Sequence, residues 1–196
     1  MAAAVCMSAT LGLSACGSGP RQDASEPNGT FKVDVTRATF PDKQRLAEPT
    51  QLVIAVRNPG PKTVPNVAVT VQSGESSSPD AEAFAETSQQ QGLANSSRPV
   101  WILDDGPRGG ITAYTNTWAL GPLKPGQTKT FVWHVTAIKS GVHSLKYTVA
   151  AGLNGNAKAQ LAGGQVPAGS FTTSIAKKPA NATVGPNGNV ITSPAP

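Results

Sequence analysis

Two stretches in the second half of the chain fix what it can become. Phe131, Trp133, Val135 and Ala137 alternate with Thr130, His134 and Thr136, and His143, Leu145, Tyr147, Val149 and Ala151 alternate likewise a few positions later. Successive side chains of a strand point to opposite faces, so a period of two gathers the large apolar groups of each stretch on one side. A strand of that kind has one dry face and one wet face, the arrangement that antiparallel sheets packed face to face provide. Burying Phe131, Trp133, Leu145 and Tyr147 contributes about 1.5–3 kcal/mol each. A slip of one residue would turn all four toward water, so the register is specified.

The first half repeats the pattern in shorter pieces separated by turn signals. Phe31 to Val35 alternates, and Phe40-Pro41 ends that segment. Gln51 to Val56 follows and closes at Asn58-Pro59-Gly60-Pro61, after which Val64 to Val71 alternates through Val67, Val69 and Val71. A polar insertion, 72–97, precedes Val100-Trp101-Ile102-Leu103, and Tyr114 to Leu120 leads into Lys124-Pro125-Gly126. Helical character is confined to Pro79–Gln91, where Asp80, Glu82 and Glu86 lie near the end a helix dipole favours for acids. With Phe84 as its main apolar anchor, a loop serves that stretch equally well. Charged residues are 14% of the chain, and Gly 20 and Pro 17 exceed ordinary usage, which describes a turn-rich and weakly charged protein. The expected fold is all-β, an antiparallel immunoglobulin-like β-sandwich forming a single domain over 30–175. Residues 17–29 read as a flexible Gly/Ser/Pro linker. Residues 176–196 read as a disordered Pro/Ala/Asn-rich tail, unable to bury enough apolar surface to offset the entropy of ordering.

The order of certain pieces resembles a known family. Leu52-Val53-Ile54-Ala55-Val56-Arg57-Asn58-Pro59-Gly60 with Val67 to Val71, then Leu123 to Thr128 before Phe131-Val132-Trp133, then Gly141 to Val149, is similar to bacterial CARDB-type and related immunoglobulin-like domains. The resemblance spans 30–175 apart from the insertion. It implies a non-catalytic adhesion, spacer or scaffold module and transfers no catalytic residue. The 72–97 insertion departs from the short connection usual in such domains, so a special function would sit there.

At the other end, Leu13-Ser14-Ala15-Cys16 closes a stretch free of Asp, Glu, Lys and Arg and opens Gly17-Ser18-Gly19-Pro20. This resembles the lipobox of bacterial lipoproteins, in which the cysteine thiol is alkylated by a diacylglyceryl group and the preceding peptide is removed. The resemblance implies that 1–16 is a signal peptide, that Cys16 is the lipidation site, and that the domain is extracytoplasmic and lipid-anchored to the bacterial cell membrane. The apolar run is shorter than the ~20 residues that span a bilayer and has the length of a signal-peptide core. A basic segment before it is missing, so the natural start is expected upstream of Met1. The competing reading is an apolar N-terminal strand or helix in which Cys16 is incidental. Cys6 would leave with the signal peptide, so neither a free thiol nor a disulfide is expected in the mature domain; a Cys6–Cys16 disulfide is the alternative.

Sites of chemistry are sparse. The chain has no His-Glu-x-x-His, Cys-x-x-Cys, P-loop or Gly-x-Ser-x-Gly, so an enzyme is not expected, and neither is a cofactor or a resident metal. By alternation His134 and His143 should point to opposite faces of neighbouring strands, with His143 hydrogen-bonded at a strand start. The candidate ligand-binding residues are Trp101, Asp104 and Asp105. Asp104-Asp105-Gly106 could approach a hard cation with Asn116 or backbone carbonyls, yet calcium takes six to eight oxygens and turn chemistry explains the motif as well. An exposed Trp101 could stack on a sugar ring, whereas Trp118 and Trp133 read as core.

The charge layout is more distinctive. All eleven acids lie at or before Asp105, while Gly106–Pro196 carries eight bases and no carboxylate: Arg108, Lys124, Lys129, Lys139, Lys146, Lys158, Lys177 and Lys178. Either the acidic first half compensates these lysines internally, or the basic half attracts anionic envelope polymers or lipid head groups at about 1 kcal/mol per residue. Nucleic acid is not an expected partner, because the bases are scattered singly. The functional expectation is a non-enzymatic cell-envelope lipoprotein presenting an immunoglobulin-like domain for adhesion, binding or scaffolding. Its partners would be the membrane through the lipid anchor, and a protein or an anionic envelope glycopolymer. An accessory solute- or ion-binding lipoprotein of a transport system is the alternative.

Overall fold

The structure is a computed structural model that describes residues 25–75, 82–86, 99–179, 182–184, 186–187 and 190–192. All regular structure among these residues is strand. One layer holds, in spatial order, β2 (Asp34–Thr39), β4 (Pro49–Arg57), β10 (Thr128–Ala137), β7 (Trp101–Asp105) and β6 (Phe84–Glu86). The other holds β3 (Lys43–Arg45), β13 (Ala168–Ala176), β11 (Gly141–Ala150), β5 (Ala68–Ser73), β9 (Thr117–Ala119) and β8 (Ile111–Tyr114). Outside the two layers, β1 (Gly29–Lys32) pairs with β12 (Ala157–Gln160), and β14 (Ala182–Val184) pairs with β15 (Val190–Thr192).

The order β2-β4-β10-β7 is the A-B-E-D sheet of an immunoglobulin sandwich, and β13-β11-β5 is its G-F-C sheet. The leading segment changes layer at Phe40-Pro41: β2 runs antiparallel to β4, and β3 then runs parallel to β13. Consecutive strands β10 and β11 lie in opposite layers and do not pair. The chain folds as an antiparallel immunoglobulin-like β-sandwich.

The alternating residues form the interior. Phe131, Trp133, Val135 and Ala137 from one layer, and His143, Leu145, Tyr147 and Val149 from the other, are all buried. Trp133 is fully enclosed, stacked on Phe131 (centroids 5.8 Å apart, 13° between planes) and edge-on to Trp118 (5.4 Å, 83°). A second aromatic group, Phe40, Trp101, Phe171 and Tyr147, fills the end nearer β3 through contacts of 5.4, 6.0 and 5.6 Å.

Five segments differ from the sequence reading. Phe31–Val35 is two strands rather than one: Val33, fully buried, bonds its amide to the Gln160 carbonyl and separates β1 from β2, which pair with different partners. The 64–71 strand begins only at Ala68, after Val64 makes an isolated bridge with Leu123. Tyr114–Leu120 is not one strand: Tyr114 ends β8, a turn with Asn116 in the left-handed region at φ 62° follows, and β9 comes after it. Within Pro79–Gln91 the described part holds no helix: Phe84–Glu86 runs parallel to β7 and Glu82 bridges Gln72. The open amides of an edge strand, with Phe84 packing on Trp118, outweigh a helix that had one apolar anchor. Within 176–196, β14 and β15 form a short antiparallel ladder.

Asn58 shows how a turn is fixed from inside. Its side chain is fully buried, donating from Nδ2 to the carbonyls of Lys62 and Leu123 (both 2.8 Å) and accepting from the Gly60 amide (2.9 Å). Asn58→Ala would leave those backbone groups without partners and should lower unfolding free energy by about 2–3 kcal/mol, read from the urea midpoint; an unchanged midpoint would contradict this role.

Candidate functional site

The candidate carboxylates sit where β7 departs from regular pairing. Asp105 stands opposite His134 and Leu103 opposite Val135, so Asp104 is an extra residue in a bulge. The bulge turns both carboxylates to the wet face of the layer, where both are exposed. Asp104 Oδ2 accepts a hydrogen bond from Thr136 Oγ1 at 2.7 Å. Asp105 Oδ2 lies 4.0 Å from His134 Nδ1, and His134 Nε2 lies 2.9 Å from Gln51 Nε2. A polar row Gln51–His134–Asp105 therefore crosses β4, β10 and β7.

This row does not form a metal centre. Asn116, the proposed third ligand, accepts from the Ala83 amide at 3.1 Å and secures the segment leading into β6. Among the described residues no three His, Cys, Asp or Glu side chains gather closely enough to hold an ion. What the row offers is hydrogen bonding and negative charge on an open sheet face.

Trp101 is a correction. It is 1% exposed, so it offers no face to a sugar ring. Its Nε1 donates to Gln44 Oε1 at 2.8 Å, and its ring meets Phe40 and His143 edge-on at 5.4 and 6.2 Å. Trp101 shares its side of β7 with Leu103, and a buried amide on β3 accepts its one polar atom.

His143 and His134 belong to opposite layers rather than to neighbouring strands of one sheet, so they cannot act together. His143 is buried, with Nδ1 bonded to Glu75 Oε1 and Nε2 3.1 Å from the Ser140 carbonyl oxygen. It thereby ties the start of the polar insertion to β11. Close by, the Gly74 amide donates to the Ser144 carbonyl at 2.8 Å, and a Cβ on Gly74 would stand 2.0 Å from Ser144 Oγ. Cys16 lies outside the described residues, as do 76–81 and 87–97 of the insertion.

Between described residues the carboxylates nearest a basic side chain are Asp105, beside His134, and Glu75, beside His143; no lysine or arginine pairs with a carboxylate there. Lys129, half-buried, donates instead to the Leu120 carbonyl, and burial lowers its pKa. Exposed Lys32, Lys146, Lys158, Lys177 and Lys178 stay at the surface.

A further arrangement was not legible in the sequence. Glu26, within the stretch read as linker, accepts backbone hydrogen bonds from Leu153 (2.6 Å), Asn154 (2.8 Å) and Ala157 (2.7 Å). Burial alone would raise its pKa, but the amides of Ala157, Asn154, Leu153 and Asn156 outweigh that and hold the carboxyl below its ordinary value. The stability it contributes is present above the unfolded glutamate value and is lost as pH falls through the lower folded one. The one local signal was the turn-forming run Gly152-Leu153-Asn154-Gly155-Asn156, which says nothing about its partner.

No protein-family model matches the chain, and no curated protein matches it. Among solved structures it is similar to part of native Escherichia coli alpha-2-macroglobulin, with 14% identity and a TM-score of 0.43 over 76% of this chain. It spans 7% of that protein's length. The crystal structure of a CARDB domain from Pyrococcus furiosus, in complex with di-metal ions, aligns over 76% of this chain and 93% of that domain, at 16% identity and a TM-score of 0.38. The solution NMR structure of that domain aligns over 76% and 94%, at 14% identity and 0.42. The fold assignment rests on the strand order described above.

The burial of Trp101 separates a packing role from a ligand-stacking one. Trp101→Phe keeps most of the apolar surface but orphans Gln44, and should destabilise the fold by about 1–3 kcal/mol in thermal or urea unfolding. A stability-neutral substitution would contradict the packing assignment.

Proposed function

We propose that the chain is a non-enzymatic lipoprotein of the bacterial cell envelope, anchored through Cys16 and presenting its sandwich for binding or scaffolding. The observation that supports this reading is the polarity of the domain. Glu26 and β1 lie at the end where β11 passes into the 151–156 loop. Gly74 and Val100, close to the limits of the insertion, lie at the opposite end, bonded to Ser144 and Ile138. A tether leaving before Glu26 would hold the first end toward a membrane and turn the insertion outward. Glu26 stands ten positions after Cys16, a reach of about 33–36 Å when extended.

An anionic envelope glycopolymer is the partner best suited to the surface lysines. Lys146, Lys158, Lys177 and Lys178 are exposed, and none has a carboxylate partner among the described residues. Such attraction between exposed charges weakens as salt shortens the screening length to about 8 Å at 0.15 M.

Two measurements test the parts separately. Wild-type protein should sediment with membranes and Cys16→Ala should not; identical fractionation of the two would remove the anchor. Soluble Cys16→Ala protein should bind immobilised anionic glycopolymer, lose that binding with added salt, and bind more weakly as Lys146→Ala/Lys158→Ala. Salt-independent retention, or none, would remove the polymer.

A further inference from the structure

The loop between β11 and β12 is built as a receptor for a carboxylate. The amides of Leu153 and Asn154 converge on one oxygen of Glu26, and the amide of Ala157 takes the other. Backbone N–H groups turned into one concavity hold an anion irrespective of which chain supplies it. Gly152 completes the shape, because a Cβ there would stand 2.2 Å from the carboxyl carbon and 2.3 and 2.4 Å from its oxygens. Any other residue would fill the space the anion occupies.

Three residues after Glu26 the segment becomes a strand. Gly29 donates to the Asn156 carbonyl at 3.1 Å, and Gly29–Lys32 then runs parallel to Ala157–Gln160. The segment Glu26–Lys32 is held mainly by these polar contacts. Within β1 only Phe31 is even partly buried, whereas Val33, the next residue, is wholly inside the core. Little apolar burial beside a firmly fixed residue describes a unit that opens locally about Val33 while the sandwich stays folded.

We infer that the Ala151–Ala157 loop together with β12 is a docking site for an extended peptide bearing one placed carboxylate, occupied in this structure by the chain's own Glu26–Lys32, and that an external peptide of the same chemistry exchanges with it. Recognition has two parts: a carboxylate in the amide cradle, and a strand beginning three residues later that adds in parallel to β12. The mode is strand addition, with main-chain bonds giving affinity and the carboxylate giving specificity. The inference holds whether or not Cys16 carries lipid.

The test uses the full chain carrying Glu26→Gln, isotope-labelled, and an unlabelled peptide with the sequence of residues 25–33. The peptide should shift the amides of Leu153, Asn154 and Ala157 toward their wild-type positions. The same peptide with Gln in place of its Glu should bind at least ~10-fold more weakly, the loss of a charged hydrogen-bonding partner. Acetate alone should shift the same three amides at higher concentration, which isolates the cradle from the strand. Gly152→Ala should abolish both responses. In the wild-type chain, excess peptide should speed hydrogen exchange of β1 amides by displacing the resident arm, a readout that survives should Glu26→Gln fail to fold. Equal binding of the Glu and Gln peptides, silent cradle amides, or unaltered β1 exchange in the wild type would overturn the inference.

Discussion

The contact of Trp133 with Phe131 on one side and Trp118 on the other joins the two sheets, and the rest of the molecule is arranged around it. The only cysteines are Cys6 and Cys16, so no disulfide can cross between the layers. Aromatic packing takes that role. Trp133 Nε1 is enclosed without a hydrogen-bond partner among the described residues, a penalty of about 1–3 kcal/mol. The indole's large apolar area and ring contacts offset it. With β10 fixed by that side chain, β4 and β7 take their places on its two edges, and the bulge opposite His134 follows from fitting β7 to it.

The margins of the sheets are protected by charge and by short covering strands. Arg37 on β2, and Lys43 and Arg45 on β3, mark outer strands that would otherwise invite pairing with another chain. On the opposite side β6 covers β7, and Phe84 reaches Trp118 to close the gap between the layers. The buried Gln44 and His143 fasten connecting segments to the strands, Gln44 by accepting from Trp101 and His143 by its bond to the exposed Glu75.

Much of this fold was legible because alternation is a local property. The inward faces of β10 and β11 could be read residue by residue, and the core status of Trp118 and Trp133 followed from their apolar neighbours. Which strands pair is not local: β10 and β11 follow one another in sequence, yet the three residues between them carry the chain from one layer to the other. For the same reason Phe31–Val35 read as one strand, since nothing in it reveals that β12 captures one half and β4 the other. Trp101 looked like an edge aromatic because its acceptor, Gln44, lies 57 positions away. Glu26 looked like linker because its partners are main-chain amides, which every residue but proline possesses. The bulge that turns Asp104 and Asp105 outward is likewise set by the neighbour strand.

The central claim is that β10 and β11 belong to different sheets of one immunoglobulin-like sandwich. Backbone nuclear Overhauser contacts test it most directly. The account predicts cross-strand contacts pairing Phe131 with Ile54 and Leu145 with Phe171, and none pairing β10 with β11. A β10–β11 hairpin ladder, or helical contacts through either segment, would contradict it.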